Sequence, residues 1–95
     1  MAELHDLTAL DQGAAIRAGE TSSAELVERY LRRIESEPYG AFVTVTADRA
    51  RTASTDGDGP LAGVPTAVKD LNLTAGVRTE LGSAAYAGFV PDVDD

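Results

Sequence analysis

One residue stands out as a candidate for acid–base chemistry. Lys69 is the only lysine in the chain, and it directly follows the short apolar run 66–68. The other basic residues are seven arginines, whose guanidinium groups stay protonated in proteins. Burial disfavours the charged form of an amine, and a neutral lysine can take a proton from a hydroxyl near neutral pH. Lys69 is therefore a candidate general base.

A structural interpretation of Lys69 is also open. The residue could end a strand and extend its amine into solvent, paired with Asp70, and this is the more common fate of lysines. An ionised Asp70 close by would favour the charged amine and oppose a role as a base. Residue types alone leave both interpretations open.

Other catalytic arrangements have weaker support in the sequence. His5 lies near the N-terminus, and no serine sits in a Gly-x-Ser-x-Gly elbow, so a Ser–His–acid triad is not indicated. Ser22 is better explained as a helix cap and Ser83 as a turn residue. The acidic stretches 56–58 and 92–95 lack the spacing of a calcium loop, and the chain has no cysteine. We expect no metal and no cofactor.

Local signals predict helices first and then a strand with loops. Thr8 is placed to cap a helix that stops at Gly19, and a capping box at 22–25 begins an amphipathic helix that ends before Pro38. Residues 41–45 are rich in β-formers but brief. The domain prediction is one incomplete segment over residues 1–95, with three parts: 1–53 mostly helical, 54–59 a linker, and 60–95 strand and loops. Within the last part, 66–68 is the predicted buried strand that delivers Lys69.

Size and charge narrow the classes of function. A chain of 95 residues makes at most one small domain and buries only about 60 to 65% of its unfolded surface. The net charge of -8 opposes nucleic-acid phosphates, so nucleic acid is not expected as a partner. No apolar stretch approaches the roughly 20 residues that span a bilayer, and the N-terminus lacks an export signal. We expect no membrane association and a cytoplasmic location.

A longer motif around Lys69 resembles the N-terminal part of the amidase signature family. The resemblance also includes the two N-terminal helices and residues 41–45, so it covers nearly the whole chain. A departure is the short link between Ala53 and Gly59, where many relatives have a longer helical segment. The residues that carry the resemblance are Gly59-Pro60-Leu61-Ala62-Gly63-Val64-Pro65-Thr66-Ala67-Val68-Lys69-Asp70, then Ala75-Gly76-Val77-Arg78-Thr79, and Leu81-Gly82-Ser83.

The resemblance implies an α/β fold: a large α/β/α sandwich to which this chain contributes outer helices and the first strand, incomplete by itself. It also implies a Ser–cis-Ser–Lys triad in which Lys69 is the base and a serine attacks an amide carbonyl. Neither triad serine is matched within residues 1–95, so the isolated chain is expected to be inactive. Its strand would have unpaired edges, so the isolated chain is also expected to be partly disordered or aggregation-prone. A non-proline cis bond costs about 3 to 4 kcal/mol and would fix the relay serine.

Three functions follow from the resemblance. The first is a stand-alone amidase that hydrolyses a small-molecule amide, and the second is the amidase subunit of glutamyl-tRNA amidotransferase, which feeds ammonia to a partner subunit. The third, from another class, is a non-catalytic remnant or a helical interaction module. The expected protein partner is the remainder of the amidase domain or a second copy of the chain.

Overall fold

The computed structural model describes residues 3–95, and within that range all regular structure is helical. The helices of the α/β prediction are therefore present, but no strand forms among these residues. The elements in chain order are a 3₁₀ helix at Leu4–Asp6, α1 (Ala9–Arg17), α2 (Ser23–Ser36), α3 (Ala47–Thr52) and a 3₁₀ helix at Ala84–Tyr86.

Helix α1 begins at the predicted cap. The Thr8 hydroxyl accepts a hydrogen bond from the Asp11 amide at 3.1 Å, which satisfies one of the free N–H groups of the first turn. The last turn ends at Ala18, and Gly19 follows with φ of 76°, a left-handed conformation that glycine adopts without steric cost. The predicted cap and stop of α1 are both confirmed.

Helix α2 forms where its capping signal predicts, but only half of the predicted capping box is present. The Ser22 hydroxyl accepts from the Glu25 amide at 3.1 Å. The Glu25 carboxylate does not return to the Ser22 amide, because it accepts from the Thr21 hydroxyl at 2.8 Å. The helix ends at Ser36, before Pro38, as expected.

The apolar side of α2 supplies the small core of the chain. Leu26 is fully buried and Val27 is 7% exposed. Full burial of one such side chain is worth about 1.5 to 3 kcal/mol. Next to them Gln12 is 3% exposed, and its amide nitrogen donates to the Leu4 carbonyl at 2.9 Å and to the Tyr30 hydroxyl at 2.7 Å. Both amide hydrogens thus have partners, and the first 3₁₀ helix is joined to α1 and α2.

The chain divides into two compact units. The first contains the residues up to Tyr39 together with Ala47–Thr66, and the second contains Gly40–Thr46 together with Ala67–Asp95. The predicted linker 54–59 lies inside the first unit, where all of its residues are exposed. The second unit includes Lys69.

Two segments, 73–79 and 89–95, organise the second unit. Backbone hydrogen bonds join them in antiparallel order, and Thr79 and Pro91 are buried. The bonded residues are three apart on 73–79 but four and two apart on 89–95, so the bonds do not build the alternating ladder of a sheet. The backbone hydrogen bonds are Asp95 N to Leu73 O at 3.0 Å, Gly76 N to Pro91 O at 3.0 Å and Thr79 N to Phe89 O at 2.9 Å.

The predicted strand at 66–68 does not form, and the β-rich segment 41–45 is not a strand either. Val68 is 64% exposed, and Val45 is 48% exposed. A strand needs a neighbour whose N–H and C=O groups pair with its own along its length, and neither segment forms such a ladder among residues 3–95. The composition of both segments suits a strand, but the expectation of a buried strand is wrong for this structure.

A close contact at Gly13 fixes part of the first unit. Gly13 is buried in α1, and a Cβ built on it would overlap the carbonyl oxygen of Pro60. The same oxygen accepts from Nη1 of Arg17 at 3.1 Å, one turn further along α1. The segment around Pro60 therefore lies directly against the helix backbone.

We predict that Gly13→Ala destabilises the chain. Alanine favours a helix over glycine by about 1 kcal/mol, but overpacking costs about 1 to 3 kcal/mol and the blocking atom is backbone. The melting temperature followed by circular dichroism should fall. Ala14→Gly is the matched control. Ala14 is exposed on the same helix, so its replacement should cost only the difference in helix propensity between alanine and glycine. A higher melting temperature for Gly13→Ala would contradict the contact.

A fork-like ion pair joins α2 to α3. Nε of Arg51 lies 2.6 Å from one carboxylate oxygen of Glu28, and Nη2 lies 3.2 Å from the other. Hydrogen bonding to Arg51 lowers the pKa of Glu28; desolvation opposes this effect, and the positive charges of Arg51 and Arg32 add to it. The same hydrogen bond raises the pKa of Arg51. Both side chains are about half exposed, so solvent weakens the pair.

We predict a pH-dependent contribution of this pair to stability. Because the pKa of Glu28 is lowered in the folded chain, the contribution is fully present above the unfolded pKa and is lost as the pH falls through the folded pKa. Glu28→Gln should therefore lower the melting temperature slightly at pH 7, and the difference should vanish as the pH falls below the folded pKa of Glu28. Glu20→Gln, at an exposed acid on the loop after α1, is the control. A difference that does not change with pH would exclude the ion pair as its cause.

Candidate functional site

Lys69 lies at the start of a turn in the second unit. Its carbonyl oxygen accepts from the Asn72 amide at 2.9 Å, which closes a four-residue turn. Its side chain is exposed, and among residues 3–95 no hydrogen bond or ion pair involves its amine. The expected buried position is therefore wrong for this structure.

Asp70 does not pair with Lys69 in this structure. Its Oδ1 atom accepts from the Glu80 amide at 3.1 Å, and its carbonyl oxygen accepts from the Leu81 amide at 3.2 Å. The residue next to Lys69 is thus joined at two points to residues 80–81. Leu81 has φ of 55°, and it is the one non-glycine residue among 3–95 in the left-handed region.

Glu80 extends this set of contacts to a second loop. One of its carboxylate oxygens accepts from the Gly88 amide at 3.0 Å, and the same oxygen lies 3.9 Å from Nε of Arg78. The sequence carried no signal for the role of Glu80, because its partners are ten and eight residues away and no motif links them. The site therefore consists of the Lys69 turn, residues 78–81 and the loop at residue 88.

The arrangement supplies an amine on a firmly bonded backbone and no nucleophile beside it. The hydroxyl of Ser83 caps the second 3₁₀ helix by accepting from the Ala85 amide at 3.2 Å, and Ser22 caps α2, as the sequence predicts for structural serines. His5 lies in the first unit, where its Nε2 is 3.0 Å from Nη1 of Arg33. Among residues 3–95, no hydrogen bond joins a serine hydroxyl or His5 to the Lys69 amine.

Neither a metal cluster nor a membrane span is found in the described part of the chain. Over residues 3–95, no three His, Cys, Asp or Glu side chains group closely enough to hold a metal ion. No helix in that range combines the length and apolar character needed to cross a bilayer.

Comparison with known proteins gives a family match and a set of similar sequences. The sequence model of the amidase family matches residues 25–95. The chain is 42% identical over 101 residues to the glutamyl-tRNA(Gln) amidotransferase A subunit of Thioalkalivibrio sulfidiphilus, with 96% of the chain and 21% of the relative covered. The same subunit from Synechococcus sp. is 44% identical over 97 residues, covering 90% of the chain and 20% of the relative.

A more distant relative carries the same description. The corresponding subunit of Geobacter sp. is 36% identical over 102 residues, with 97% of the chain and 21% of the relative covered. The chain therefore spans about a fifth of the length of the curated relatives that it matches. No solved structure matches the chain.

We predict that the Lys69 amine is freely accessible in the 95-residue chain. Because Lys69 is exposed and is the only lysine, acetylation by an N-hydroxysuccinimide ester should modify it at a rate close to that of the urea-unfolded chain. Mass spectrometry of the peptide that contains Lys69 measures the rate without interference from another lysine. Lys69→Arg is the control that removes the signal. Strong protection of Lys69 in the native chain would contradict its exposed position.

Proposed function

Because the chain belongs to the amidase family, we propose that it contributes the general base, Lys69, to an enzyme that hydrolyses a carboxamide. The observation that carries the proposal is that Val68-Lys69-Asp70 lies inside the matched range 25–95. The motif resembles the one that holds the family's lysine. The fixed backbone around Lys69 is consistent with that role.

The proposed reaction needs a serine that these residues do not provide. The neutral Lys69 amine takes the proton of the serine hydroxyl, through the second serine of the family's triad, as the serine oxygen attacks the amide carbonyl carbon. The C–N bond then breaks, the leaving nitrogen takes up a proton, and ammonia departs from an acyl-serine. Water cleaves the acyl-serine to the acid and restores the hydroxyl. Both serines are proposed to lie outside residues 1–95.

The exposure of Lys69 sets a condition on this proposal. A base must be neutral when the serine approaches, and the burial that disfavours the charged form of an amine is absent at the exposed Lys69. The proposal therefore includes further protein that covers the amine in the active assembly. The relatives carry about four-fifths of their length beyond the aligned segment, which is ample to supply that cover.

The relatives favour an amidotransferase subunit over a stand-alone amidase. The proteins from Thioalkalivibrio sulfidiphilus, Synechococcus sp. and Geobacter sp. all have the name of the glutamyl-tRNA(Gln) amidotransferase A subunit. We infer that the ammonia released from the amide substrate is passed to a partner subunit for transfer to glutamyl-tRNA. We also infer that the protein works in the cytoplasm. A stand-alone amidase acting on a small amide is the second candidate, since the same motif would serve both.

The relatives do not support the expectation that nucleic acid is excluded as a partner, because their name includes tRNA. The net charge of -8 still makes direct contact between these residues and RNA phosphates unfavourable. We therefore propose that tRNA is bound by other parts of the assembly.

We predict that Lys69 is required for amide hydrolysis when the chain is part of a complete amidase. The test is a chimera in which this chain replaces the aligned segment of the Thioalkalivibrio sulfidiphilus relative, assayed for ammonia release from glutamine. Lys69→Ala should lower kcat by about 10²- to 10⁴-fold, the usual contribution of a general base. Lys69→Arg should do the same, because a guanidinium keeps its proton.

Arg49→Ala is the matched control for this experiment, because Arg49 is an exposed cation on α3 without a described partner. It should leave kcat unchanged. Full activity in Lys69→Ala would remove Lys69 from the mechanism. Ammonia transfer to glutamyl-tRNA in the presence of the partner subunits would favour the amidotransferase, and hydrolysis without transfer would favour the stand-alone amidase.

A further inference from the structure

We propose that Asp70 is a positioning residue for Lys69, and that Glu80 supports it; this rests on the proposed function of Lys69. The two contacts of Asp70 with residues 80–81 hold the backbone that carries the amine. They also direct the Asp70 carboxylate toward a backbone amide and away from the lysine.

The first effect is restraint of the backbone that directly follows the Lys69 Cα. The turn bond between Lys69 O and Asn72 N acts on the C-terminal side of the residue at 2.9 Å. Asp70 adds one bond from its carboxylate and one from its carbonyl oxygen, at 3.1 and 3.2 Å. Positioning matters for proton transfer, since a displacement of about 1 Å can cost about 10²-fold in rate.

The second effect concerns charge. A carboxylate paired with Lys69 would stabilise the ammonium form and oppose its use as a base. The Glu80 amide occupies Oδ1 of Asp70, and no ion pair joins Asp70 to Lys69 among residues 3–95. The Asp70 carboxylate therefore accepts a hydrogen bond from the Glu80 N–H and forms no salt bridge with Lys69.

The backbone at Leu81 shows that this arrangement overrides a local preference. A left-handed conformation is sterically unfavourable for a residue with a Cβ, and Leu81 adopts it with φ of 55°. The conformation coincides with the bond from the Leu81 amide to the Asp70 carbonyl oxygen. Such strain is retained where surrounding contacts determine the conformation, and it is frequent at functional sites.

Glu80 holds the other side of the same segment. Its carboxylate accepts from the Gly88 amide at 3.0 Å, and Arg78 lies 3.9 Å from the same oxygen. Residues 80–81 are thus bonded both to Asp70 and to the loop at residue 88. The set of contacts links the Lys69 turn to a part of the chain nearly twenty residues later.

The test separates positioning from general stability. In the chimera, Asp70→Ala should lower kcat by about 10- to 100-fold with little change in KM, because the base is displaced but substrate contacts are not. Asp70→Asn keeps an oxygen that accepts from the Glu80 amide and should restore most of the lost rate. Asp92→Ala, at an exposed acid in the same unit without a described contact, is the control and should leave kcat unchanged.

If Asp70→Ala does not fold in the chimera, hydrogen exchange in the 95-residue chain tests the contacts of Asp70 directly. Hydrogen exchange at the Glu80 and Leu81 amides should be faster in Asp70→Ala than in wild type and Asp70→Asn. Unchanged exchange, or full kcat in Asp70→Ala, would overturn the positioning role. If Lys69→Ala is fully active, the proposed function itself fails; if only Asp70→Ala is fully active, Lys69 remains the base and only this inference fails.

Discussion

The buried side of α2 is the surface on which the first unit is assembled. Leu26 is its fully buried centre, and the residues around it each reach a different element. Tyr30 accepts from Gln12 on α1, Arg29 contacts Glu3 at 2.8 Å beside the first 3₁₀ helix, and Glu28 holds α3 through Arg51. One helix of fourteen residues therefore sets the relative positions of the other helices in this unit.

The second unit is held together differently. Its buried residues are a threonine and a proline, and its larger apolar side chains, such as Phe42, Val68 and Val90, are substantially exposed. Backbone hydrogen bonds and the carboxylates of Asp70 and Glu80 define its loops. Each such bond contributes only about 0.5 to 1.5 kcal/mol net, so local opening of this unit should cost less than opening a well-packed core.

Signals that act within a few residues were readable from the sequence. The Thr8 and Ser22 caps, the stop at Gly19 and the amphipathic period of α2 depend on local backbone groups and on one helix face, and all appear in the structure. The family was also readable, because the motif around Lys69 is long and specific. The catalytic role of Lys69 remains a prediction that the structure does not test.

Features that depend on distant partners were not readable. The composition of 66–68 predicts a strand, but strand formation requires a paired neighbour, and none is present among residues 3–95. Asp70 follows Lys69 directly, so a salt bridge was the natural interpretation, whereas its carboxylate bonds to the Glu80 amide. No local sequence pattern predicts a hydrogen bond between a side chain and a backbone amide ten residues away.

Residues 60–63 pack against α1 and α2, so the start of the motif around Lys69 depends on those helices for its conformation. Pro60 lies on the backbone of Gly13, and a Cβ on Gly63 would come within 3.4 Å of Ile16 and 3.3 Å of Ser23. The opening of the motif is thus shaped by residues some forty positions earlier. Transplanting the motif without those helices would remove the surface that sets its path.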